Sequence, residues 1–130
     1  MGMPAAKLGD RVVATDIHIV LVPSPGGPVP TPTPLPFNGI INGGLSTNVL
    51  IEGKPAATVG STAVNTPPHI PPNGTFSKPP SNMATIITGS STVFINGKPA
   101  ARNGDTAMTC NDPADMPVGR VVATGTVLIG

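Results

Sequence analysis

The sequence predicts an all-β body built from three equivalent hairpins, and three observations carry that expectation. Gly and Pro account for 16 and 18 of the 130 residues, and no Trp or Tyr is present. The apolar content lies in short runs of Val, Ile, Leu and Ala, which suits thin, closely packed strands better than helices. One phrase also occurs three times: MPAAKLGD at 3–10, IEGKPAATVGS at 51–61 and INGKPAARNGD at 95–105. Disordered chains are charge-rich and apolar-poor, whereas here only 10% of residues are charged and mean hydropathy is positive, so the Gly and Pro read as ordered turns and extended segments. The length is that of a single domain, 1–130.

The elements follow from the repeats. Residues 40–61, IINGGLSTNVLIEGKPAATVGS, align with residues 86–105, IITGSSTVFINGKPAARNGD. Each unit reads as a β-branched pair, a Gly/Ser turn, a short strand (48–52 and 92–96), a tight turn, and a second short run ending in Gly-Ser or Gly-Asp. Gly53 and Gly97 supply the positive φ such turns require, and Pro55 and Pro99 fix φ just after it.

The first copy of the phrase has no strand before it. GRVVATGTVLIG, residues 119–130, provides one: the pair Val121-Val122, a turn, and a strand from Thr126 to Ile129. Pairing that strand beside residues 3–10 gives a third unit stitched from both chain ends. The expected body is pseudo-threefold, closed, without a free sheet edge and with adjacent termini. An open solenoid would need atypical end caps instead of a shared unit. The Pro-rich stretches 23–39 and 66–82 are expected as stiff, extended connectors along the outside.

The candidate chemistry is sparse and placed in register. His18 lies eight residues after Asp10 and His69 eight residues after Ser61, both counted from the residue that closes the phrase; Cys110 lies five after Asp105. Alone, each would be an ordinary His or Cys. In a threefold body they converge, and two imidazoles with a thiolate form a zinc or iron site, completed by Asp16, Asp112 or water. Asp10 and Asp105 occupy the same slot of the repeat and read as turn caps.

Other classes are excluded or weak. Scattered basic residues and a formal charge of +1 argue against a nucleic-acid surface. No G-x-S-x-G elbow occurs, and the Gly-Lys pairs lack phosphate-loop spacing and precede proline. A single cysteine excludes an internal disulfide. No signal-peptide core or membrane-length apolar run is found, so synthesis in the cytoplasm, with export by other means, is expected.

The residues MPAAKLGD, GKPAATVGS and GKPAARNGD resemble those of the PAAR family, and Pro99-Ala100-Ala101-Arg102 spells its phrase in full. The resemblance implies a conical, β-prism-like domain that caps the trimeric, VgrG-like spike of a contractile injection system. The machine would be type VI secretion, an extracellular phage-tail-like particle or a phage tail. It implies one non-enzymatic tip per trimer, cytoplasmic until loaded, which meets the target membrane transiently as it pierces. It further implies a metal near the apex, commonly zinc held by His and Cys, which falls here on His18, His69 and Cys110. Family sites commonly use three histidines, and this chain has two. Lys7 and Thr58 stand where the third repeat has Arg102, so the arginine is not general. No effector domain is apparent, which suggests a bare tip. An adaptor that recruits effectors, or less readily a small metal-dependent enzyme, are the rival readings.

Overall fold

The structure, a computed structural model, describes residues 2–130. Among them no helix occurs, and the strands are β1 (Met3–Pro4), β2 (Arg11–Val22), β3 (Val29–Gly43), β4 (Leu50–Ile51), β5 (Lys54–Pro55), β6 (Thr62–Asn65) and β7 (Thr75–Phe76), followed by β8 (Met83–Ile86), β9 (Phe94–Ile95), β10 (Lys98–Pro99), β11 (Thr106–Thr109), β12 (Met116–Val122) and β13 (Leu128–Ile129). Six of them close a barrel in the order β12-β11-β8-β6-β3-β2, with β12 pairing back onto β2. All these pairings are antiparallel.

The repeats explain the topology. Each unit sends a barrel strand into a short hairpin and returns by a second barrel strand: β3-β4-β5-β6, β8-β9-β10-β11, and β12-β13 with β1-β2. The third hairpin is the one stitched from both ends, with Met3 opposite Ile129 and Pro4 opposite Leu128. In the two continuous hairpins the turn residues Glu52-Gly53 and Asn96-Gly97 have φ of 51° and 80°, and 52° and 79°. Two consecutive left-handed residues define the type I′ turn, whose twist matches the strands it joins.

At the junction of hairpins and barrel the Pro-Ala-Ala phrases meet. Ala6 N–H donates to the carbonyl of Ala101 at 3.0 Å, Ala101 to Ala57 at 3.1 Å, and Ala57 back to Ala6 at 3.0 Å. This cyclic ring demands small side chains, because three copies of the backbone approach one axis. Successive side chains of an extended segment point to opposite faces. Ala6, Ala57 and Ala101 accordingly join the barrel core with Val12, Ile41, Ile86 and Val121, while Ala5, Ala56 and Ala100 join a second cluster with Ile51, Ile95 and Ile129. The turn that follows is capped alike in all units: the N–H of Lys7, Thr58 and Arg102 donates to Asp10 Oδ2, Ser61 Oγ and Asp105 Oδ2 at 3.1, 2.9 and 2.7 Å.

Two expectations need correction. Residues 29–36 are extended, but as the outer half of β3, paired with β2 from Arg11↔Ile40 to Val22↔Val29. A proline-rich strand is tolerated because Pro30, Pro32, Pro34 and Pro36 share one parity. Across from two of them, Ile17 and Ile19 turn their N–H groups away from β3, to Asn111 Oδ1 and Asp112 Oδ2, both at 2.7 Å. Directly opposed residues of an antiparallel pair face the same way, so every missing proline N–H falls on the outer side of β3. Prolines on an edge strand are also a device against unwanted pairing. The second correction is that free edges exist. The barrel closes, yet β3 has no neighbour on its outer side over 30–36, and each hairpin is a separate two-stranded sheet, so β4, β9 and β13 have a partner on one side only.

Candidate metal centre

β2 carries the site. Beyond Val13, where β12 ends its pairing, strand alternation turns Asp16, His18 and Val20 inward, at 0, 1 and 0% exposure, while Ile17 faces outward. Two consecutive inward positions filled by Asp and His are costly unless their polar atoms are satisfied. Cys110 follows the end of β11 and is 3% exposed. Its loop is pinned along β2: besides the two side-chain acceptors at Asn111 and Asp112, the Asp112 N–H donates to the Ile17 carbonyl at 2.8 Å. His69 arrives from the segment after β6. Its N–H donates to Asn82 Oδ1 at 2.8 Å, and its ring, 2% exposed, packs edge-on to Phe37 at 6.0 Å.

These segments bring one ligand atom each of Asp16, His18, His69 and Cys110 within 4.8 Å of one another. The two imidazoles are tilted at a centroid distance of 5.0 Å. Asp16 is central. Its Oδ1 accepts from Thr109 Oγ1 at 2.5 Å and Asn111 Nδ2 at 3.4 Å, which fixes the carboxylate and leaves Oδ2 at 2.9 Å from His69 Nε2 and 3.5 Å from Cys110 Sγ.

The donor set fits a metal ion. Both ring nitrogens of His18 are buried without a hydrogen-bond partner. Asp112 Oδ2 comes within 3.5 Å of Nδ1, close enough for attraction but not aligned as a hydrogen bond. Orphaned buried imidazole nitrogens are otherwise rare, and a cation would satisfy one. Two nitrogens, one thiol and one carboxylate are the ligand types of four-coordinate zinc, and two histidines with one carboxylate also suit iron. Burial, and next the charge of Asp16, push the Cys110 thiol up to about 11, so without a metal it holds its proton. A divalent cation reverses both influences.

His18, His69 and Cys110, singled out from their offsets, are thus gathered in one place. Asp16, which sequence reasoning ranked no higher than Asp112, stands in the cluster, whereas Asp112 lies beside it, against His18. The missed signal was spacing: Asp16 and His18 are two apart in one strand and must share a face.

A family model described as the PAAR motif matches residues 21–113 and residues 74–130. No curated protein matches the chain. With that match spanning most of the sequence and the three Pro-Ala-Ala phrases joined in one ring, the chain belongs to the PAAR-motif family.

Proposed function

We propose that this protein is the metal-stabilised tip of a contractile injection system: it waits in the cytoplasm, caps a trimeric VgrG-like spike with its hairpin end, and helps pierce the target envelope. The observation that carries the reading is the cyclic Ala6-Ala101-Ala57 ring with its three hairpins, which gives a single chain one threefold end. A symmetric partner of three chains is the natural complement of such an end.

The buried cluster serves rigidity. His18 on β2, His69 after β6 and Cys110 after β11 belong to three different units, and Asp16 shares the strand of His18. Zinc, with iron as the alternative, would tie these units together where the barrel core has little else to offer. Among the described residues Phe37 is the only aromatic in that core, and much of the rest is alanine. Small domains with thin cores depend on such staples, and a structural metal contributes on the order of 10 kcal/mol apparent in zinc-finger peptides. Full burial of all four ligands suits a structural ion rather than one that turns over substrate, so the role is non-enzymatic.

The test is stoichiometry. Mixed with a trimeric VgrG-type spike and weighed by light scattering, the protein should form a complex of one copy per three spike chains. A complex with three copies per trimer, or no complex, would remove the reading.

A further inference from the structure

The hairpins end in open strand edges that the fold treats differently from its other edge. Ala5, Ala56 and Ala100 donate their N–H groups to the carbonyls of Val127, Val49 and Val93 at 2.9, 3.0 and 3.0 Å. Backbone direction alternates along a strand. One residue further on, Leu128, Leu50 and Phe94 therefore turn both N–H and C=O away from the hairpin partner. The residues opposite them are Pro4, Pro55 and Pro99, which have no N–H to offer. Among the described residues no other backbone or side-chain hydrogen bond takes up these outward groups. Their side chains are large, apolar and 59, 60 and 57% exposed, the same feature three times over.

The contrast with β3 is informative. That outer edge is closed by four prolines, so the molecule blocks one edge against pairing while it keeps an intact N–H at the same position of all three hairpins.

We propose that these three edges are the docking contact and that each accepts one extended strand from one chain of a three-chain partner. The partner's sheets then continue the hairpin layer, with Leu50, Phe94 and Leu128 packed on its apolar side chains. This is strand addition: main-chain hydrogen bonds give affinity and alternate side chains give selectivity. The threefold repetition favours one trimer over three unrelated peptides, because all edges surround one ring. The proposal rests on the spike-tip reading and adds to it the mode of attachment.

Proline scanning tests it. Leu50→Pro/Phe94→Pro/Leu128→Pro removes the three outward N–H groups while sparing every internal bond, since proline is accepted on edge strands at positions that do not donate. Folding of the variant is checked by its thermal transition. Binding to the trimeric VgrG-type spike should fall on the order of 100-fold, because each lost donor leaves a partner carbonyl unpaired. The triple alanine variant, which keeps the N–H groups, should lose less. A folded proline variant with wild-type affinity overturns the proposal. Hydrogen exchange on the wild-type chain gives an independent reading: the amides of residues 50, 94 and 128 should slow at least about tenfold when the spike is added, and unchanged exchange overturns it even if the proline variant fails to fold. If the wild-type protein does not bind the spike at all, the spike-tip reading falls instead. Self-association abolished by the same prolines would assign the edges to a second copy and overturn the trimer.

Discussion

Metal and stability should be coupled with a sign that depends on His18. In the metal-free protein both imidazole nitrogens of His18 are buried and unpaired, and each such group costs about 1–3 kcal/mol. His18→Leu removes two orphaned polar atoms and keeps a comparable volume, so the metal-free variant should melt at or above the metal-free wild type. With metal the order reverses. A ligand that binds only the folded state at a thousandfold excess over its Kd stabilises by about 4 kcal/mol. At about 2.1 cal/mol/K per residue, the 130 residues give an unfolding entropy near 270 cal/mol/K, so that gain corresponds to a rise of about 15 °C. Calorimetry with chelator, with one equivalent of Zn2+ and with Fe2+ should show the rise in the wild type and its loss in His18→Leu and Cys110→Ser. Elemental analysis should track it at one ion per chain. A wild-type midpoint indifferent to both metals would refute the reasoning, as would an equal rise in the two variants.

Three further outcomes are expected. Cys110 holds its proton more tightly in the folded than in the unfolded chain, with its pKa moved from 9.0 to about 11, so its contribution is intact below pH 9 and disappears as pH rises toward 11. At about 1.4 kcal/mol per unit the whole effect amounts to ~3 kcal/mol, of which about 2 kcal/mol falls between pH 8.5 and 10.5; urea denaturation of the metal-free protein at those two pH values should show that part, and Cys110→Ala should lack it. Pro32→Thr/Pro34→Thr restores two N–H donors on the open side of β3, and light scattering should then detect concentration-dependent association beyond that of the wild type; an unchanged mass would show that the prolines guard nothing. Ala57→Val places two extra methyl groups into a fully buried position of the ring, and overpacking of about 1–3 kcal/mol should appear as a lower urea midpoint; a loss below about 0.5 kcal/mol would mean that the ring has room to spare.

What could be read from the sequence was whatever repeats. The threefold phrase gave the hairpins, the closure of residues 3–10 with 119–130, the turn caps at Asp10 and Asp105, and the convergence of His18 with His69. The readings that needed more were the extent of each short strand, the contacts between units and the residues that one unit alone carries. As in the second hairpin, expected over 92–96 and paired only at Phe94–Ile95, the strand of the first was expected over 48–52 but pairs only at Leu50–Ile51. The residues around it bond across units instead: Ser46 Oγ donates to Asn96 Oδ1, and Glu52 Oε1 accepts from the Thr126 N–H at 3.0 Å. Neither contact has a local signature. Asp16 has no counterpart in the other units, so a symmetry argument gave it no weight.

The stretch PVPTPTPLP shows why composition misleads where period does not. Proline content suggested a connector, because a proline within a sheet removes a ladder bond. That rule concerns the side on which the N–H would lie, and in a strand the side alternates with each residue. Prolines at 30, 32, 34 and 36 are all on one side, so the inner ladder with β2 keeps every donor it needs, from Thr31, Thr33 and Leu35. Outer edges therefore come in two kinds here. Proline at alternating positions of β3 closes that edge. In each hairpin alternation leaves Leu50, Phe94 and Leu128 with both polar groups directed outward, and the prolines opposite them sit where no ladder N–H is needed. One end of the molecule is thus barred from pairing and the other is prepared for it, as a tip that must hold a partner at its base and nothing along its flank requires.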